Sequence, residues 1–345
     1  MQTELTDTTP LLDQNGDLIQ IGWGRYPLLE CNLENVAFYP RWLQALQFAR
    51  VKVWDYYAIF TPRRFFSATI ANLGYAGNVF VYTLDFESNE LHEEGQVIPL
   101  GRGVTLSRQT VGVCEYQGQG AHLKFETTPN SRKVFVDWPA FHEGRGIRAE
   151  ISLQLDQGHE SMNIVIPIPK KRFYYNHKIN CLPASGILEY GKIREELKPQ
   201  ESLGQLDWGR GVWEYSSFWN WASASGFLPD GRTIGLNLGC GFGDTTAATE
   251  NALIIDGKLH KLDQVTFDYD SQDFMKPWKF RDNQGRLDLD FVPFKDRFAA
   301  TKLLVIDSEV HQLFGRYSGK LFTDEGEEIR IDGLIGFAEE HHARW

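Results

Sequence analysis

From Val51 onward the hydrophobic pattern of this chain follows the period of a strand, not that of a helix. Runs such as VKVWDYYAIF, FFSATIANLGY, NVFVYTLDF and RKVFVDWPAF alternate apolar with polar residues. Successive side chains on a strand point to opposite faces, so such alternation demands strands with one face covered. Turn signals separate the runs: TPRR, Gly74–Gly77, Pro129-Asn130-Ser131, Asp156-Gln157-Gly158, Asp256-Gly257 and Asp324-Glu325-Gly326. Many short strands at regular spacing predict an all-β chain of antiparallel barrels or sandwiches with few short helices. One segment breaks the period. In WLQALQFAR, after Pro40, Trp42, Leu43, Leu46, Gln47 and Ala49 recur at helical spacing, which predicts a helix.

A chain of 345 residues exceeds what one core holds, so two domains are expected. The reading is an N-terminal arm over 1–20 tied down at Leu11-Leu12, a β-barrel domain over 21–190 and a second over 191–345. KKRFYYNHKINCLPASG, at the boundary, reads as a strand entering a loop. Asn72-Leu73-Gly74 and Asn237-Leu238-Gly239 each follow an aromatic cluster and echo one another as a duplication would.

The net charge is −11 with both signs interspersed, which argues against a general nucleic-acid or anionic-membrane binder. No apolar run is long enough to span a membrane. Cys31, Cys114, Cys181 and Cys240 are scattered without a CxxC pair, as expected of reduced core residues. The polar start MQTELTDTTP has no apolar signal region, so a cytoplasmic location is the default expectation. Nothing in the pattern specifies an oligomeric state.

Candidate chemistry concentrates between Asp207 and Asn251, which holds Trp208, Trp213, Trp219 and Trp221 among several polar groups. Aromatic and charged residues this close suit a cavity with a few fixed polar groups. Asp207 and Arg210 flank a tryptophan and a glycine, and His177 lies in YYNHKIN. These three are the candidate acid–base and charge-stabilising residues. Asn176, Lys178, Trp208, Trp213, Tyr215, Trp219, Trp221, Asn237, Glu250, Asn251 and His311 are the candidate substrate-binding residues. The glycine run Gly239–Gly243 lacks the lysine of a phosphate loop and the spacing of a dinucleotide fingerprint, and so reads as a bent strand. Glu339-Glu340-His341-His342 is the densest metal-type cluster, but neighbours on a strand point apart and no metal centre is expected.

YYNHKINCLPASG, LDWGRGVWEYSSFWNWASASG, GLNLGCGFGDTTAATENALIIDGKLHKL, VHQLFGRYSG and GFAEEHHARW resemble the DUF2804 family of uncharacterised proteins. More distantly the chain is similar to the group of carotenoid 1,2-hydratase, AttH-like proteins, tocopherol cyclase and certain fungal Diels–Alderases. That resemblance implies two lipocalin-like barrels and a cofactor-independent hydration, cyclisation or isomerisation of an apolar or amphipathic small molecule. A lipid- or pigment-binding protein without catalysis is the alternative. Carbohydrate binding or processing is a third, since tryptophans stack on sugar faces.

Overall fold

The computed structural model describes residues 2–303 and 306–344. The chain forms two large curled antiparallel sheets. In the first, strand order is Leu91–Pro99, Ala76–Asp85, Arg64–Asn72, Lys52–Phe60, Leu203–Val212, Arg172–Tyr190, Ile147–Gln154, Ser131–Trp138, Ala121–Thr128, Gly112–Gly118 and Val104–Thr105. In the second it is Lys258–Lys261, Ala252–Ile255, Thr233–Cys240, Ser216–Phe227, Glu328–Arg344, Ile306–Phe322, Leu287–Leu303, Trp278–Asp282 and Val265–Asp268. The chain passes from one sheet to the other between Val212 and Ser216, later than the boundary at 190/191 expected from sequence. Among the described residues, no helix is long and apolar enough to cross a membrane.

Period-two patterning explains the sheets. Ile147–Gln154 alternates buried and exposed at every position, one face to the core and one to solvent. By contrast, all ten residues of Leu203–Val212 are buried. One face of that strand lines the interior of the first sheet, and the other packs against the second sheet. Arg172–Tyr190, read as a strand running into a loop, is one 19-residue strand. Its register shifts between Ile179 and Leu182, where Cys181 takes a φ of 61°. That bend lets one strand pair with Met162–Ile168 at one end and Ile147–Gln154 at the other.

Local signals mostly resolve as expected. Asp256-Gly257 closes a two-residue hairpin with both φ positive (49° and 75°), the geometry that matches strand twist. The N-terminal arm is pinned by fully buried Leu11 and Leu12 and by the Thr3 N–H on the Ala247 carbonyl (2.9 Å). The 41–50 segment is helical, but as a 3-10 helix with no buried residue. Asn72-Leu73-Gly74 lies at a strand end and turn, whereas Asn237-Leu238-Gly239 lies within Thr233–Cys240, so the two do not occupy equivalent places.

Candidate functional site

Directly opposed residues on antiparallel strands share a face. Lys178 opposes Asp207 and His177 opposes Trp208, so the two pairs project to opposite sides of the first sheet. Lys178 and Asp207 face the second sheet. There the Lys178 ammonium lies 3.3 Å from Asp207 Oδ2 and 3.4 Å from Glu250 Oε2, and 3.8 Å above the Trp221 ring. Lys178 is 4 % exposed, so this is a desolvated cation between two carboxylates and an aromatic face. Asn176 donates to Asp207 Oδ1 (2.6 Å) and to the Trp208 carbonyl (2.8 Å), which fixes the carboxylate. The Trp221 indole donates to Asn237 Oδ1 (2.7 Å), and Asn237 donates to the Glu250 carbonyl (2.8 Å).

A third carboxyl joins the site from the C-terminal strand. Glu339 Oε1 accepts from the Trp219 indole (3.1 Å) and Oε2 from the Gln312 amide (3.1 Å). Gln312 Oε1 accepts from the Tyr82 hydroxyl (2.8 Å), itself 2.9 Å from the Tyr56 hydroxyl. Arg297 stacks on Tyr82 at 4.1 Å and pairs with Glu93 at 2.8 Å. Burial pushes the Glu339 carboxyl up to about 7, against the opposing pull of the Trp219 hydrogen bond and of Arg297 and Lys178. Burial also raises Glu250, with Lys178 opposing and Asp207 reinforcing. Half-buried Trp54, Trp219, Phe242 and His341 form the aromatic rim, with Trp219 and His341 rings 4.1 Å apart. Burial drives His341 down to about 3, so it lines the rim as a neutral ring.

The raised Glu339 has a consequence for stability. Its proton is held in the folded chain up to about pH 7, whereas the unfolded chain releases it near the ordinary value of 4.5. The stabilisation is therefore complete below that ordinary value and lost as pH rises through 7, on the order of 3 kcal/mol in all. Urea titrations from pH 4 to 8 should show this decline in the native chain and a flatter profile in Glu339→Gln.

The close approach of Glu250 depends on Gly239: a Cβ there would lie 1.9 Å from Glu250 Oε1. Gly239→Ala is therefore expected to push the carboxylate off Lys178 and cost about 1–3 kcal/mol as overpacking, measurable by thermal melts. The glycine run as a whole is a strand end. Thr233–Cys240 stops there, and Gly241 and Gly243 turn the chain with positive φ (86° and 67°).

The structure divides the sequence candidates. Asn176, Lys178, Asp207, Trp219, Trp221, Asn237 and Glu250 converge between the sheets, and Trp213 meets Trp54 edge-on at 5.6 Å beside them. His177, Trp208 and Arg210 do not join them and lie within the first sheet's own core. His177 Nε2 is 3.0 Å from Ser161 Oγ, and burial with Arg132 nearby drives it down to about 3. Arg210 pairs with Asp55 at 2.8 Å and stacks on Trp208 at 4.2 Å. Strand alternation thus places His177 and Arg210 in the core of the first sheet, on the opposite face from Lys178 and Asp207. Asn251 accepts the Gly239 N–H (2.7 Å) and serves the backbone. His311 points to the other side of its strand from Gln312, onto Asp296 (2.8 Å) and the Phe274 ring. Tyr215 is exposed beneath the Arg50 guanidinium (5.9 Å). Glu339 was visible in sequence only as one of a Glu-Glu-His-His cluster; Tyr56, Tyr82 and Arg297 carried no signal of their own, nor did Tyr174, whose ring meets Phe242 edge-on at 5.0 Å.

In sequence, no curated protein matches the chain. In three dimensions it is similar to CghA solved with Sch210972, at 10 % identity and a TM-score of 0.53, covering 85 % of this chain and 88 % of that one. It is also similar to an AttH-like protein from Nitrosomonas europaea (14 % identity, TM-score 0.44, 84 % and 92 % covered). Kievitone hydratase from Nectria haematococca gives 13 % identity and a TM-score of 0.41 over 85 % and 88 %. At such identity the likeness to CghA is one of fold, and the fold is the two-sheet, lipocalin-like one expected from sequence. The DUF2804 family, a domain of unknown function, matches residues 2–345, and the chain belongs to that family.

Proposed function

We propose that this chain is a cofactor-independent enzyme of hydratase, cyclase or isomerase type that holds an apolar or amphipathic small molecule between its two sheets. The observation that carries this reading is Glu339: a buried carboxyl, poised at about 7, beside a buried ammonium and under an aromatic rim. A group half protonated near neutrality both gives and takes a proton, which addition of water, proton-assisted ring closure or a double-bond shift requires. Glu339 is the acid–base group in this scheme. Lys178, held by Asp207 and Glu250, stabilises negative charge that develops on the substrate. Trp54, Tyr174, Trp219, Trp221 and Phe242 supply apolar walls. That CghA, which shares the fold, was solved with Sch210972 supports the idea that such a scaffold holds a ligand.

Organic extraction and native mass spectrometry of protein purified from its own source identify the ligand. With that compound as substrate, Glu339→Gln should lower kcat by about 10²–10⁴-fold and remove the pH-rate limb near 7, while His177→Gln leaves that limb in place. Full turnover by Glu339→Gln would sink the assignment. A bound compound that the native chain never alters would make this a binding protein.

A further inference from the structure

Residues Arg41–Arg50 form a helix that turns its two aromatic side chains and Leu46 to the outside. At three residues per turn, Arg41, Gln44, Gln47 and Arg50 share one stripe, Trp42, Ala45 and Phe48 a second, and Leu43, Leu46 and Ala49 a third. The C-terminal half of the polar stripe is tied to the body, while Arg41 and Gln44 at its start are exposed. Gln47 donates to the Val36 carbonyl, and Arg50 donates to the Trp213 carbonyl at 3.3 Å. Trp42, Leu46 and Phe48 face outward, 80 %, 58 % and 63 % exposed. A surface helix of a globular protein ordinarily does the reverse. Single exposed apolar residues are unremarkable, but a contiguous patch marks an interaction surface.

The patch extends beyond the helix. Gly74 packs so tightly on the helix end that a Cβ there would lie 2.5 Å from the Ala49 carbonyl carbon. The neighbouring turn is tied on by the Leu100 N–H on the Tyr75 carbonyl (3.0 Å), and it presents Leu100, 68 % exposed, and exposed Arg102. Charge here departs from the chain as a whole. The net charge is −11, yet no acidic residue occurs from Asn35 to Trp54, a stretch that contains exposed Arg41 and half-buried Arg50. Glu214, beside Trp213, is taken up by Arg172 at 3.6 Å.

We infer that this face docks on an anionic lipid bilayer. Trp42, Leu46, Phe48 and Leu100 enter the interface, and Arg41 and Arg102 meet headgroup phosphates. Tryptophan and arginine at the edge of an apolar face suit the boundary between headgroups and acyl chains. Acidic residues elsewhere on the chain are screened over a Debye length of about 8 Å. The face also adjoins the site: the carbonyl that holds Arg50 belongs to Trp213, whose ring meets Trp54 and Phe242 of the rim at 5.6 and 5.5 Å. An apolar substrate dissolved in the bilayer then reaches the seam between the sheets without crossing water. That delivery role rests on the function proposed above, whereas docking rests on the helix itself.

Co-sedimentation of the full chain with vesicles of phosphatidylcholine, with and without phosphatidylglycerol, tests this. The native chain should pellet with the anionic vesicles and be released by high salt. Trp42→Ser with Phe48→Ser should weaken partitioning at least about tenfold, since both aromatic rings lose their burial in the interface. Arg41→Glu with Arg102→Glu should abolish the preference for anionic lipid. Melting temperatures should hold in both, as these side chains are exposed. A native chain that stays in the supernatant, or variants that partition like it, would overturn docking. So would sedimentation velocity showing a native dimer that the double serine variant converts to monomer, because a second copy would then cover the face. Vesicle binding without turnover would retain docking and remove the catalytic reading. Turnover of detergent-dispersed substrate without vesicle binding would do the opposite.

Discussion

Lys178→Met is expected to destabilise the chain by about 3–5 kcal/mol, the cost of leaving buried charge without its partner. The lost ammonium sits 3.3 Å from Asp207 and 3.4 Å from Glu250, so two carboxylates then share one desolvated space. Methionine keeps most of the side-chain volume, which separates the charge effect from a cavity. The loss should shrink as pH falls, because Glu250, already raised by burial, takes up a proton in place of the ammonium. Urea denaturation at pH 5 and pH 8 measures both terms, and an equal loss at the two values would contradict the charge explanation. Ligand binding should fall in the variant even where it is folded.

Arg210→Met should cost a similar 3–5 kcal/mol yet leave the site alone. Arg210 is fully buried, pairs with Asp55 at 2.8 Å, and donates to the carbonyls of Trp54 (2.6 Å), Gly209 (2.9 Å) and Ser107 (2.6 Å). Removing it leaves Asp55 with the Cys114 thiol at 3.3 Å as its side-chain donor. Combining it with Asp55→Leu should recover most of the loss, because an apolar pair of similar volume replaces a buried ion pair without a stranded charge. Equilibrium unfolding of the two single variants and the double variant gives the coupling energy. Binding of ligand by folded Arg210→Met at native affinity would confirm that this residue serves the core, and a lost affinity would return it to the site.

These two lysine and arginine positions show what was legible in the sequence. The strand period, the Asp256-Gly257 hairpin and the concentration of aromatic residues after Asp207 are local properties, and they led to an all-β fold and to a stretch that meets the other sheet at the seam. Which side of a strand faces a ligand is not local where both sides are buried. In Leu203–Val212 every position is covered, so Asp207 and Arg210 look alike although they point into different compartments. Arg172–Tyr190 hid its nature for the same reason: one face fills a core and the other a polar seam, so neither reads as solvent-facing. Glu339 was obscured because its partners Trp219 and Gln312 lie on strands remote in sequence. The helix after Pro40 was legible as helix, but a spacing that fits a buried apolar face fits an outward one equally well.

The division of charge across the seam also constrains exchange of parts. Lys178 and Asp207 belong to one sheet, whereas Glu250 and Glu339 come from the other half of the chain. A chimera that joined the first half of this chain to a relative's second half would keep each sheet's pairing intact. If the incoming half lacked an acid at the place of Glu250, the contact surface would close over an unbalanced ammonium. The two halves can therefore vary independently on their outer surfaces but must be inherited as a matched set at their contact.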